Sequence, residues 1–113
     1  MYASRQNDLA VIALTIIYEV NVFVQLDSEV DYRAWLLKHI AEILSLPGFI
    51  DAQCFDVQQD SNADDVAICV QYRLQSQAAL DNYFEHHASR LRADGVAKFG
   101  DRFRATRRVL VTT

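Results

Sequence analysis

NYFEHHASRLRADGVAKFGDRFRATRR, residues 82–108, is the stretch whose reading decides the fold. With Leu80 just ahead of it, Tyr83, Phe84, His87, Ala88 and Leu91 recur at the three- and four-residue steps of one helical face. Ser76 stands where the N-cap of that helix belongs, and Gly95 is the expected C-terminal stop. Val96 to Phe99 adds one further turn, and Gly100 and Asp101 turn the chain. Residues 103–111 then return as a strand, with Val109 and Val111 on one side and Arg104, Thr106, Arg108 and Leu110 on the other.

Working back from this unit, the chain supplies three more strands and one more helix. Tyr18, Val20, Val22, Val24 and Leu26 alternate with Glu19, Asn21, Phe23 and Gln25, the period of a half-buried strand. Asp27 or Ser28 caps the helix that follows, and Glu29 and Asp31 suit the positive end of its dipole. Its stripe is Tyr32, Trp35, Leu36, His39, Ile40, Ile43 and Leu44, and it ends at Pro47-Gly48. Residues 49–58 and 65–74 read as a hairpin around the turn-forming Asp, Ser and Asn of residues 59–64. Val66, Ile68, Val70, Tyr72 and Leu74 form its apolar side, matched by Ile50, Ala52 and Cys54. Ala67, Cys69, Gln71 and Arg73 form the other, matched by Asp51, Gln53 and Phe55. This register sends Cys54 and Cys69 to opposite faces, where they cannot bond; a slip of one residue would reverse it.

The order β-α-β-β-α-β is the split βαβ of the ferredoxin-like α+β class: a four-stranded antiparallel sheet with two helices on one face. The second face then has no element of the chain to cover it. It carries Glu19, Asn21, Phe23, Asp51, Gln53, Phe55, Cys69, Gln71, Arg73 and Arg108. Leaving Phe23 and Phe55 in water forfeits roughly 2 kcal/mol each. A homodimer packed sheet against sheet resolves this, with Phe23, Phe55, Glu19 and Gln53 on the dimer face. The plainer alternative is an exposed face of mixed polarity, which antiparallel sheets tolerate.

Composition bounds the rest. At 113 residues, 51% hydrophobic and with only three glycines and one proline, the chain makes one compact domain over residues 15–113. Residues 1–14 read as an N-terminal extension, frayed or partly helical. A net charge of −4 argues against a nucleic-acid partner. No apolar run reaches the roughly 20 residues of a membrane span, and no export signal is recognisable. Two cysteines are too few for a disulfide framework, which points to a reducing, cytoplasmic setting.

Several tracts carry a family likeness: IYEVNVFV in the first strand, the W-L-x-x-H-I-x-E-I-L run of helix one, G-F-x-x-A at strand two, C-V-Q-Y in strand three, and H-x-x-x-L-R-A-D-G-x-x-K-F-G-D-R-F. Together they resemble the uncharacterised bacterial domain of unknown function family 4286. The resemblance spans residues 16–110 and implies a dimeric α+β barrel; it brings no established activity. Members tend to begin at the first strand, so the residues before Thr15 depart from the pattern.

The candidate site residues follow. His39 and His87 lie on helix stripes, where they either reach a pocket as acid-base groups or, more commonly, are satisfied boundary residues. Arg73, Arg104 and Arg108, beside Asn21 and Gln71, would line a polar interior suited to a small anionic or aromatic ligand. Glu19 and Asp51 would instead neutralise the arginines in a packed interface. Dimeric α+β barrels also include haem-degrading enzymes that pair a first-strand asparagine with a second-helix histidine; Asn21 with His86 or His87 matches, but the tryptophan expected near the start of helix two is absent, Trp35 being on helix one. Asp60, Asn62 and Asp64 have the spacing of a calcium loop without its glycine or its final glutamate. Arg90 and Asp94 read as a surface pair on helix two. No metal site and no cofactor are expected. The first reading is a binding or interaction module without chemistry of its own, because no nucleophile-base pair is visible. The alternative is a cofactor-independent monooxygenase or isomerase, with a histidine as base and Asn21 or Arg108 stabilising an enolate. Haem binding or degradation comes third.

Overall fold

The computed structural model describes residues 15–113, so the expected N-terminal extension lies outside the described residues. The elements are β1 (Ile16–Gln25), α1 (Glu29–Leu44), β2 (Phe49–Val57), β3 (Asp65–Leu74), α2 (Gln77–His86), α3 (Ala88–Phe99) and β4 (Phe103–Val111). Short 3-10 turns, Leu26–Ser28 and Gly100–Arg102, lead into α1 and β4. The strands form one antiparallel sheet in the order β2-β3-β1-β4, which is the ferredoxin-like α+β arrangement.

Register puts the two sides of each strand where alternation requires. Tyr18 stands opposite Tyr72 and Val109, while Glu19 stands opposite Gln71 and Arg108. Cys54 pairs with Val70 and Phe55 with Cys69, so the thiols point to opposite faces and both are free. The helices cover the first side. There Tyr18, Tyr72, Val22 and Val24 meet Tyr32, Leu36 and Ile43 of α1, Leu80 and Tyr83 of α2, and Leu91 and Phe99 of α3. Much of this core is aromatic: Tyr18 stacks on Tyr72 at 6.0 Å, Tyr32 meets Phe99 at a tilt with ring centres 5.0 Å apart, and Phe49 meets Tyr83 edge-on at 5.2 Å.

Four local expectations change. Leu26 leaves the first strand for a 3-10 turn and is exposed. Ile50 is the extra residue of a β-bulge, so it is exposed and Phe49 takes the core position opposite Leu74. Helix two breaks at His87, whose φ of −131° lies outside the helical range. Its buried positions run Leu80, Tyr83, then Ala88, Leu91, Gly95 and Phe99, and the five-residue step across His87 needs a local unwinding to keep both halves on the core. Gly95 sits inside α3 instead of ending it, because Trp35 crosses there: a Cβ would lie 3.1 Å from the edge of the indole. The helix stops at Gly100, which has a φ of +58°.

Capping follows the sequence in part. Ser76 accepts a hydrogen bond from the Ala79 amide at 3.1 Å. Ser28 precedes α1 but caps nothing with its side chain; its buried hydroxyl accepts from Arg102 at 3.3 Å and ties the start of α1 to the turn before β4. Arg90 reaches across to Glu42 of α1 at 3.0 Å instead of pairing with Asp94.

Gly48 closes the α1–β2 turn at a φ of +85°, and a Cβ there would collide with the Ala79 methyl. Gly48→Ala is expected to destabilise the chain on the order of 3 kcal/mol, from left-handed strain and overpacking together. In a double-mutant cycle Ala79→Gly should cost less in the Gly48→Ala background than alone. Urea unfolding followed by the fluorescence of Trp35, the sole tryptophan, measures both.

Candidate functional site

The side of the sheet without helices centres on Glu19. Although it projects from the central strand β1 away from the helices, it is only 3% exposed, because its neighbours cover it. Asn21 donates to one carboxylate oxygen at 2.9 Å, Gln71 to the other at 2.9 Å, and Arg108 Nε donates to the Asn21-bound oxygen at 2.5 Å. The Arg108 guanidinium holds the Glu19 carboxyl well below its ordinary value of 4.5, at about 2, against the opposing effect of burial. The Asn21 and Gln71 amides add to the lowering. Beside this cluster Asp51 and Arg73 form a two-pronged pair at 3.0 and 2.6 Å, in which Arg73 lowers the Asp51 pKa. Arg104 lies flat over Phe23, 3.9 Å from the ring centre. Phe55 and Gln53 are exposed on β2. Burial and the Glu19 charge push the Cys69 thiol up, so it stays protonated.

Of the two readings of these arginines, neutralisation is what the geometry shows. Arg73 and Arg108 are each held by a carboxylate of the same face. A shallow groove of about 330 Å3 beside the Asp51–Arg73 pair is lined by Ile17, Gln53 and Gln71.

A second cavity lies on the other side, between sheet and helices. It offers about 40 Å3 to the centre of a water molecule, and Tyr18, Tyr32, Tyr72 and Tyr83 line it together with Trp35 and His39. His39 stacks on Trp35 at 4.4 Å, and burial pushes its pKa down, against the pull of Glu42 and Asp94. Arg92 of α3 and Arg107 of β4 complete the lining, and Arg92 donates to the Tyr18 hydroxyl at 3.1 Å. Burial raises Tyr32 and Tyr83 to about 12, so their phenols stay protonated.

The sequence-derived site residues therefore divide. Asn21, Gln71, Arg73 and Arg108 share the open face of the sheet, whereas His39 and His87 belong to the helix layer, with the sheet between the two groups. Only His39 lines the inner cavity; His87 sits half-buried at the helix break. Within one chain, Asn21 cannot converge with His86 or His87 on a haem, nor His39 with Asn21 or Arg108 on an enolate. Arg92, Arg107 and the tyrosines were not singled out from sequence. The signal available was parity alone: Arg107 alternates with Arg108 and so falls on the same side as Val109. Among the described residues no three His, Cys, Asp or Glu side chains form a metal-sized group. None of the described helices is long and apolar enough to cross a membrane.

Fold and faces together define a small ferredoxin-like α+β protein with helices on one side of its sheet and a saturated polar network on the other. More specifically, the chain belongs to the family described as domain of unknown function DUF4286, whose model matches residues 15–113. No curated protein matches it in sequence. Among solved structures it is similar to a conserved protein from Methanosarcina mazei Go1, with a TM-score of 0.65 at 13% identity over 89% of this chain and 95% of that one. It is also similar to SnoaB, a cofactor-independent oxygenase from Streptomyces nogalater, at 0.60 and 10% identity over 87% and 93%. The de novo designed protein Foldit4 is similar as well, at 0.59 and 10% identity over 88% and 99%. At these identities the likeness is one of fold alone.

The depressed pKa of Glu19 makes a pH prediction with a definite sign. A carboxyl held lower in the folded state contributes its stability in full above the ordinary value of 4.5 and loses it as pH falls toward about 2. Glu19→Gln should flatten the fall in stability across that window. Arg108→Ala should move the acid transition to higher pH, with a small loss of stability at neutral pH because the guanidinium is screened by solvent. Urea midpoints measured from pH 7 downward check both.

Proposed function

We propose that this chain is a homodimeric binding module of the reducing cytoplasm, in which two copies pack sheet against sheet without catalytic chemistry in the interface. The carrying observation is the open face itself. Its one deeply covered charge, Glu19, is fully partnered, while Phe55 is 43% exposed and Val57 44%. With four strands at about 4.8 Å spacing and nine or ten residues each at about 3.3 Å, the face measures roughly 600 Å2. Two such faces bury about 1,200 Å2 together, within the range of specific interfaces. A two-fold axis along the strands sets β2, carrying Asp51 and Phe55, over the partner's β4, which carries Arg104 and Arg108. Acidic edge then meets basic edge twice.

A second reading, a cofactor-independent oxygenase or isomerase for a small anionic molecule, is favoured by one observation. His39, kept neutral by burial, faces a cavity walled by aromatic rings, as a general base requires. In that reading His39→Gln abolishes substrate-dependent oxygen uptake or isomerisation and leaves the oligomeric state unchanged.

Native mass spectrometry of the whole chain decides the first reading. A dimer is expected, and Phe55→Asp or Arg104→Glu should convert it to a folded monomer. A wild-type monomer at micromolar concentration overturns the proposal, as does a dimer indifferent to both substitutions.

A further inference from the structure

The arginines of the helix layer and of β4 separate by what they hold. Arg33 pairs with Glu29 and Asp56, Arg90 with Glu42, and Arg108 with Glu19. Arg102 caps the carbonyls of Lys98 and Phe99, and Arg104 lies on Phe23. Among the described residues Arg92, Arg104 and Arg107 in this set reach neither a carboxylate nor a backbone carbonyl, and of these Arg92 and Arg107 line the inner cavity. They come from different elements, α3 and β4, so the fold and not a local sequence run brings them together. Each is exposed and free to turn toward a ligand.

The cavity behind them sets phenol donors among apolar side chains. Tyr32, Tyr72 and Tyr83 make no side-chain hydrogen bond among the described residues, although each is about nine-tenths or more covered. Yet no fully enclosed side-chain oxygen there lacks a partner, so these phenols open on space that water reaches. Polar hydroxyls around a roomy pocket are the condition under which a pocket is wet or takes a polar ligand. At 10–15 Å3 for each water-sized position, about 40 Å3 holds roughly three waters, and at about 30 Å3 of liquid volume each these occupy the room of a molecule of some five or six non-hydrogen atoms.

We propose that this cavity is a binding site for a short-chain oxo- or hydroxy-carboxylate of about the size of pyruvate or lactate, its carboxylate held by Arg92 and Arg107 and its oxygen substituent by the tyrosine hydroxyls. The two guanidiniums supply the charge-assisted bonds. The aromatic walls limit the body of the ligand to a few atoms, which excludes a bulky ring. This site lies on the opposite side of the sheet from the dimer face, so it is independent of the oligomeric reading. It also requires no turnover.

The test titrates pyruvate, lactate, propionate and benzoate into the wild-type protein, followed by Trp35 fluorescence, since the indole lines the cavity, and by calorimetry. Pyruvate and lactate are expected to bind saturably and more tightly than propionate, which lacks the second oxygen. Arg92→Gln and Arg107→Gln should each weaken binding about tenfold or more, and Tyr72→Phe should remove the preference for the oxygen substituent. Arg33→Gln, away from the cavity lining and already paired with Glu29 and Asp56, is the control and should leave both affinities unchanged. Circular dichroism confirms that each variant is folded, and both arginines are at the surface. Absence of saturable binding by pyruvate and lactate overturns the proposal. So does binding that survives both arginine substitutions, binding that Arg33→Gln weakens equally, or benzoate binding as tightly as pyruvate.

Discussion

A carboxylate on the central strand of a sheet, on the side that no helix covers, is the constraint around which the open face is arranged. Glu19 has neighbours from β3 and β4 and from its own strand, and each supplies a donor: Gln71, Arg108 and Asn21. The antiparallel register makes this possible, because it sets Gln71 and Arg108 directly across from Glu19 on either side. Shifting β4 by one residue would put Arg107 there instead and turn Arg108 into the aromatic core. The ion pair therefore specifies register as much as it stabilises. Its exposed guanidinium limits the energy, whereas the cost of leaving Glu19 unpartnered penalises the wrong pairing.

The helix side obeys a different constraint, the crowding of large rings in a thin layer. Five tyrosines and phenylalanines pack around Tyr18 and Tyr32, together with Trp35, at centre separations of 5.0 to 6.0 Å. Rings of fixed shape cannot all interlock without adjustments of the backbone. Gly95 admits the indole edge into α3, and the break at His87 rotates the second half of the helical hairpin back onto the sheet. What the rings do not fill is the inner cavity, a small void in which phenol hydroxyls stand among aliphatic side chains such as Val20, Leu36 and Ile43.

These two constraints explain what could be read from sequence. Strand limits, face parity and the separation of Cys54 from Cys69 were legible because period-two alternation is a local property, visible in any stretch of eight residues. Ile50 is misplaced because a bulge inserts one residue without changing composition, so alternation counted back from Ala52 runs one step wrong at the start of β2. Gly95 looked like a helix stop because a glycine needed for left-handed backbone and one needed for close approach are the same letter; only the position of Trp35, 60 residues earlier in the chain, tells them apart. Arg90 was assigned to Asp94 on helical spacing, yet the partner that matters comes from α1. The candidate set of Asn21, Gln71, Arg73, Arg108, His39 and His87 mixed the two sides of the sheet, since residue chemistry carries no information about which face a helix will cover until the fold is assembled.

That division bears on how such a scaffold acquires function. The same layering holds a designed protein and an oxygenase at equal similarity, so the backbone alone selects no task. In a two-layer sheet the side chains of successive residues serve opposite faces, and Arg107 and Arg108 are the clearest case: one lines the aromatic cavity, the other closes on Glu19. A change at either position leaves the chemistry of its neighbour untouched, because the sheet itself insulates them. The open face and the inner cavity can therefore vary independently, and a substitution in β4 acts on whichever of the two its parity selects.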